Sequence, residues 1–131
     1  MLKIRYFYGI PTQDIFDDIK ENRVLIVKDN GIMFEEELIS AYLKAKRSVE
    51  RNKMRGKTLE SEFLIYISGD TQIDRVLKEY GISNEKSNYF IIYLNDNEKD
   101  YGMEEKKKEF SDDIEKLKEK LEKIAITELK K

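Results

Sequence analysis

Leu2, Ile4, Tyr6 and Tyr8 alternate with Lys3, Arg5, Phe7 and Gly9 at the start of the chain. A period of two predicts a β-strand. Pro11 and Thr12 end it, and Thr12 can cap a short helix that turns Ile15, Phe16 and Ile19 inward. Val24 to Val27 is a compact apolar strand, stopped by Asp29-Asn30-Gly31.

A long helix is predicted from about Glu35 to Arg55. Leu38, Tyr42, Ala45 and Val49 recur at steps of four, three and four, which makes a core-facing stripe. Lys44, Arg47, Arg51 and Arg55 form a second stripe. At about 100° per residue it lies roughly 145° from the first, toward solvent. Gly56 closes this helix and Thr58 can cap the next. Leu59, Phe63, Leu64 and Ile67 fit a short helix, yet Phe63 to Ile67 alone reads equally as a strand, and periodicity does not separate the two. Ser68-Gly69-Asp70 is a turn. Thr71 with Asp74 resembles a capping box ahead of a helix bearing Ile73, Val76, Leu77 and Tyr80, with Gly81 as a left-handed terminator. Tyr89 to Leu94 is uncharged throughout and predicts a central strand. Asn95 to Glu109 reads as a mobile, charged loop. A last helix begins at Ser111, with Ile114, Leu117, Leu121, Ile124 and Ala125 on one stripe. The elements predict one α/β (α+β) domain over residues 1–131. Its small mixed or antiparallel sheet has three to four strands packed with several helices.

Composition removes several chemistries. The chain has 131 residues with no Cys and no His. Disulfides, thiolate metal sites and imidazole bases are absent, and with them Ser-His and Cys-His catalysis. No glycine pattern cradles a phosphate, and no cofactor is implied. The opening segment is too short and too charged for a signal peptide, and no apolar run approaches a membrane span, so a cytoplasmic protein is expected. The Lys-, Glu- and Ile-rich usage fits a thermophile or an AT-rich genome.

The formal charge of −2 conceals an asymmetry. Residues 44–57 hold seven cations against Glu50, a local net of +6, so the rest of the chain carries −8. This basic stripe reads either as a solvated helix face or as a focused anion site. Single-signed charge favours the second, because ordinary exposed helices mix signs at i,i+4. Tyr66 or Tyr80 could stack on a base, or simply fill the core. Asp17-Asp18, Glu35-Glu36-Glu37 and Asp112-Asp113 have no apolar setting that would tune a general acid, and the latter two suit helix starts. The final helix ends in Ile124, Ala125, Ile126 and Leu129, apolar on more than one face. It can dock on its own sheet, on a partner, or on both.

In this order the pieces resemble the small accessory subunit of the KEOPS complex, the one that binds the complex's atypical kinase. The matching features are Val24 to Val27, the helix through Ala41 and Ala45, and Thr58-Leu59-x-x-Glu62. They continue with Ser68-Gly69-x-x-Gln72-Ile73, Tyr80-Gly81-Ile82, Phe90-Ile91-Ile92-Tyr93 and Ile124-Ala125. Asn95 to Phe110 matches the family least. The resemblance implies a domain without catalytic residues that docks on the kinase's N-terminal lobe. It also implies help in recruiting tRNA by its 3′ CCA end for threonylcarbamoylation of the adenosine next to the anticodon. Other KEOPS subunits would be reached indirectly, and no membrane is involved. On this reading Arg47, Arg51, Lys53, Arg55, Lys57, Gln72 and Arg75 face tRNA. Leu117, Leu121, Ile124, Ala125, Ile126 and Leu129 face the kinase. A stand-alone single-stranded RNA-binding module is the alternative, and a carboxylate enzyme a remote third.

Overall fold

A computed structural model describes residues 2–54 and 58–130. Its elements are β1 (Lys3–Gly9), α1 (Ile15–Lys20), β2 (Val24–Lys28), α2 (Glu35–Glu50), α3 (Leu59–Ser68), α4 (Ile73–Tyr80), β3 (Ser87–Tyr93), β4 (Glu104–Lys106) and α5 (Ile114–Lys130). The four strands form one antiparallel sheet in the order β2-β3-β1-β4. The fold is α+β. The uncharged β3 is paired on both sides, as its composition predicts.

Alternation along β3 divides the core in two. Phe90 and Ile92 point toward α2, α3 and α5, joining Leu25, Leu38, Ala45, Phe63 and Ile124. Tyr89, Ile91 and Tyr93 point the other way, joining Ile15 of α1, Phe7 and Tyr101. The candidate surfaces sit on the outer side of the first layer, where α2, α3 and α5 pack together.

The segment from Phe63 to Ile67 is helical. Thr58 caps it: its hydroxyl accepts from the Ser61 amide at 3.1 Å, and the Ser61 hydroxyl accepts from the Thr58 amide at 3.0 Å. Gly69 ends α3 in the left-handed region at φ 73°. Every residue from Phe63 to Ser68 is buried, which is why the segment shows no amphipathic period in the sequence.

Several expectations need correction. Helix α2 stops at Glu50 rather than Arg55. Asn52 takes φ 57°, the Lys53 amide donates to the Ser48 carbonyl at 2.9 Å and the Asn52 amide to Val49 at 3.2 Å. This is a Schellman turn with Asn in the place usually held by Gly. The buried stripe of α2 is Leu38, Ala41, Ala45 and Ser48, so Val49 is exposed and Tyr42 half-buried. Asp14, not Thr12, occupies the cap of α1, and Phe16 faces solvent. Thr71 does not cap α4: Gln72 holds that position, and Asp70 Oδ1 accepts from its amide at 2.9 Å. Leu77 is exposed. Gly81 is extended rather than left-handed; a Cβ there would meet the Leu77 carbonyl oxygen at 2.6 Å, so close approach is what requires glycine. Residues 95–109 are not merely a loop, since β4 adds a fourth strand beside β1. Tyr93 and Tyr101 also anchor the segment through hydrogen bonds to Lys99 and Asp18. On α5, Ile114 and Ala125 are exposed rather than buried.

Candidate partner-binding surfaces

Helices α2 and α5 leave an open groove of 410 Å³ between them. Its apolar lining is Ile39 and Leu43 from α2 with Leu121 and Ala125 from α5; Glu36, Lys44 and Arg47 edge it. At about 100° per residue Ile114, Leu121 and Ala125 fall within about 40° of one another, and Leu129 lies about 40° further round. The apolar surface therefore continues along α5 past the groove. Leu43 is 50% exposed, Ile114 65% and Leu129 84%. Apolar side chains so close together and so open are unusual on a chain in which 40% of residues are charged.

The sequence-predicted kinase-facing residues do not share one surface. Ile124 lies in the molecule's own core. Leu117 and Leu121 are half-buried, while Ala125, Ile126 and Leu129 are exposed. Ile126 lies about 140° around the helix from Leu121, off the groove. Leu43 and Ile39 were missed. Their i,i+4 pairing off the main stripe of α2 is the signal that could have found them.

Beyond the end of α2 lies a second cavity, of 240 Å³, lined by Arg47, Ser48, Arg51, Lys53, Tyr66 and Glu128. Three of the predicted tRNA-facing residues thus converge. The Schellman turn causes this, because it folds Lys53 back toward the helix that carries Arg47 and Arg51. The Ser48 and Tyr66 hydroxyls share a hydrogen bond of 2.9 Å at the floor. Tyr66 is buried, and burial raises its phenol above the usual value. Its ring belongs to the core and does not stack on a base. Arg55 and Lys57 lie outside the described residues.

Gln72 and Arg75 sit apart from this cavity. Arg75 is held by Asp70: its Nε donates to Oδ2, and Nη2 donates to Oδ1 at 3.0 Å. That pairing holds the Asp70 carboxyl down at about 2. The turn before α4 is packed under α5, since a Cβ on Gly69 would come within 2.5 Å of Lys123 Cε. Burial lowers the Lys123 ammonium below its usual value.

The arginines differ sharply. Arg5 pairs with Glu98 and Glu105, Arg23 with Asp18 and Glu21, and Arg75 with Asp70. Among the described residues no acid pairs with Arg47, Arg51 or Lys53. The nearest acid in the cavity, Glu128, pairs with Lys44 at 3.6 Å.

The acidic pairs serve structure. Asp18 is buried and accepts from the Tyr101 hydroxyl at 2.7 Å and from Arg23 at 2.9 Å, which together hold its carboxyl below the usual range. Glu37 accepts from the Met33 and Phe34 amides at 2.8 and 3.0 Å, closing the start of α2. Asp113 accepts from the Lys116 amide at 3.2 Å and starts α5. Among the described residues no cluster of His, Cys, Asp or Glu could hold a metal ion, and no helix is long and apolar enough to cross a membrane.

Comparison with known families gives a match described as kinase binding protein CGI-121, over residues 12–131. It spans every element named above except β1, the groove and the basic cavity included. The chain belongs to the CGI-121 family of kinase-binding proteins.

Proposed function

We propose that this chain is a non-catalytic subunit of a KEOPS-type complex: it holds the complex's kinase on the α2–α5 groove and offers its basic face to tRNA. The observation that carries the reading is the open apolar surface of Ile39, Leu43, Leu121 and Ala125 in a family whose members bind kinases. Fully burying one such leucine contributes about 1.5–3 kcal/mol. A groove between two helices suits a ridge or helix from the kinase's N-terminal lobe. The tRNA role is supported by the single-signed cluster of Arg47, Arg51 and Lys53 on the adjoining surface. With the 3′ CCA end held there, the anticodon arm would be left for the catalytic subunits that carry out threonylcarbamoylation.

Calorimetric titration with the kinase subunit tests the docking surface. Leu43→Glu puts a charge into the groove and is expected to weaken kinase binding at least tenfold, a loss of about 1.4 kcal/mol or more. The melting temperature should hardly change, because Leu43 is already half exposed. Ile126→Glu, off the groove, should bind within about threefold of the parent. A reversed order of effects would move the interface to the outer face of α5. Wild-type affinity in both variants would remove the docking reading altogether.

A further inference from the structure

We propose that Lys123 is a site of Nε-acylation by acyl phosphates, the mixed anhydrides of carboxylic and phosphoric acids. The site is independent of the kinase and RNA readings. Lys123 lies about 160° around α5 from Leu121 and Ala125, away from the groove.

Placement sets this lysine apart. At about 100° per residue Lys120, Lys123, Thr127 and Lys130 share one face of α5, within about 80°. That face meets two turns of the chain: Lys120 Nζ donates to the Gly31 carbonyl at 2.7 Å, and Lys130 Nζ to the Gly69 carbonyl at 3.5 Å. Both are thereby tied down, whereas among the described residues no acid and no hydrogen-bond acceptor pairs with the Lys123 amine. Its stem is held all the same. Cγ, Cδ and Cε lie along Gly69, where a Cβ would stand 3.1, 3.3 and 2.5 Å from them. The stem packs against the glycine while the side chain as a whole stays exposed.

Charge acts in the same direction. The acids on the neighbouring elements are committed elsewhere. Glu37 accepts from the Met33 and Phe34 amides and lies 3.9 Å from Lys120, and Asp70 is held by Arg75. Burial first, and then the Lys120 charge, lower the Lys123 ammonium below its usual value; Glu37 opposes less strongly, and Lys130 adds to the lowering. More of the amine is then neutral near pH 7, and the neutral amine is the nucleophile.

The reaction balances without a further reagent. The Nε lone pair attacks the acyl carbon, the carbon–oxygen bond to phosphate breaks with its electron pair, and inorganic phosphate leaves. The proton lost by nitrogen passes to water. The Lys120 and Lys130 ammoniums attract the anionic donor and offset the charge of its leaving group. The product is a neutral amide, so the face loses one positive charge.

The test acylates the intact chain partially with acetyl phosphate and locates the amides by mass spectrometry. Lys118, exposed about 140° round the same helix, is the internal reference. The rate at Lys123 is expected to be at least about threefold that at Lys118 in the folded protein, and equal to it in urea. N-hydroxysuccinimidyl acetate, which is uncharged, should show a smaller preference, and added salt should shrink the acetyl phosphate preference toward it. In the Lys120→Gln, Lys130→Gln double variant the two reagents should give the same preference. Gly69→Ala, whose Cβ displaces the stem, should abolish the preference for either reagent. Equal rates at Lys123 and Lys118 in the folded protein overturn the proposal, as does a preference that persists in urea. So does an equal preference for the two reagents in the wild type, or an acetyl phosphate preference that survives in the double variant. In either case the flanking ammoniums would have no part in choosing the donor.

Discussion

Glu60 is buried at the first turn of α3, and both its carboxyl oxygens accept from the Ile26 amide, at 3.1 and 3.2 Å. Ile26 belongs to β2, an edge strand, so this side chain covers a backbone donor that would otherwise invite pairing with another chain. Burial pushes the Glu60 carboxyl up to about 8, and the amide only partly offsets it. The group is thus a neutral acid at pH 7. Its folded value exceeds the unfolded value of 4.5. The stability it contributes is full below that value and is lost as pH rises toward the folded one. Glu60→Gln keeps an acceptor and cannot ionise. The variant should gain on the wild type between about pH 5 and 8, by at most about 1.4 kcal/mol per pH unit. Denaturant melts of both proteins across that range would read the difference. A constant difference would mean the carboxyl is already charged in the fold. Nothing in the sequence marks Glu60 out, because an acid after a threonine cap reads as dipole complement; only the proximity of β2 gives it this role.

At the scale of elements, three of the four strands were legible and several helix ends were not. Alternation in β1 and the uncharged runs of β2 and β3 carry their own signal. Strand β4 carries none: its three residues are charged, and its partner β1 is about a hundred residues away in sequence. The end of α2 was misplaced because a lone Asn is a weaker stop signal than a Gly, and Gly56 stood four residues on. Asn52 at φ 57° sets where Arg51 and Lys53 emerge. Asn52→Ala is expected to destabilise the fold by about 1 kcal/mol, since a Cβ-bearing residue without a helpful side chain resists this conformation. Asn52→Gly should cost nothing or stabilise slightly. Thermal unfolding of the two variants checks the ordering, and equal melting temperatures would contradict the assigned turn.

At the scale of the whole molecule, acids pair with Arg5, Arg23 and Arg75, while among the described residues none pairs with Arg47 or Arg51. The strongly basic stretch of residues 44–57 was visible in the sequence, and three of its members do converge. That Arg75 is silenced by Asp70 was not visible, since a partner five residues away on a turn has no periodicity. The apolar groove was half visible, because α5 announces its side and α2 hides its share beside a longer stripe. Arg47 lines the groove and the cavity alike. A side chain that walls two compartments gives their occupants a route to thermodynamic coupling. Whatever factor the docked kinase applies to RNA affinity, RNA must apply to kinase affinity. We expect that factor to differ from one in the wild type and to collapse toward one in Arg47→Ala, as read by closing the four-sided binding cycle in calorimetry. A wild-type factor of one would show the two surfaces to be independent. A factor that differs from one and collapses in Arg47→Ala would make this small chain a balance arm, in which one guanidinium group sets whether a docked kinase and a bound RNA reinforce or compete with each other.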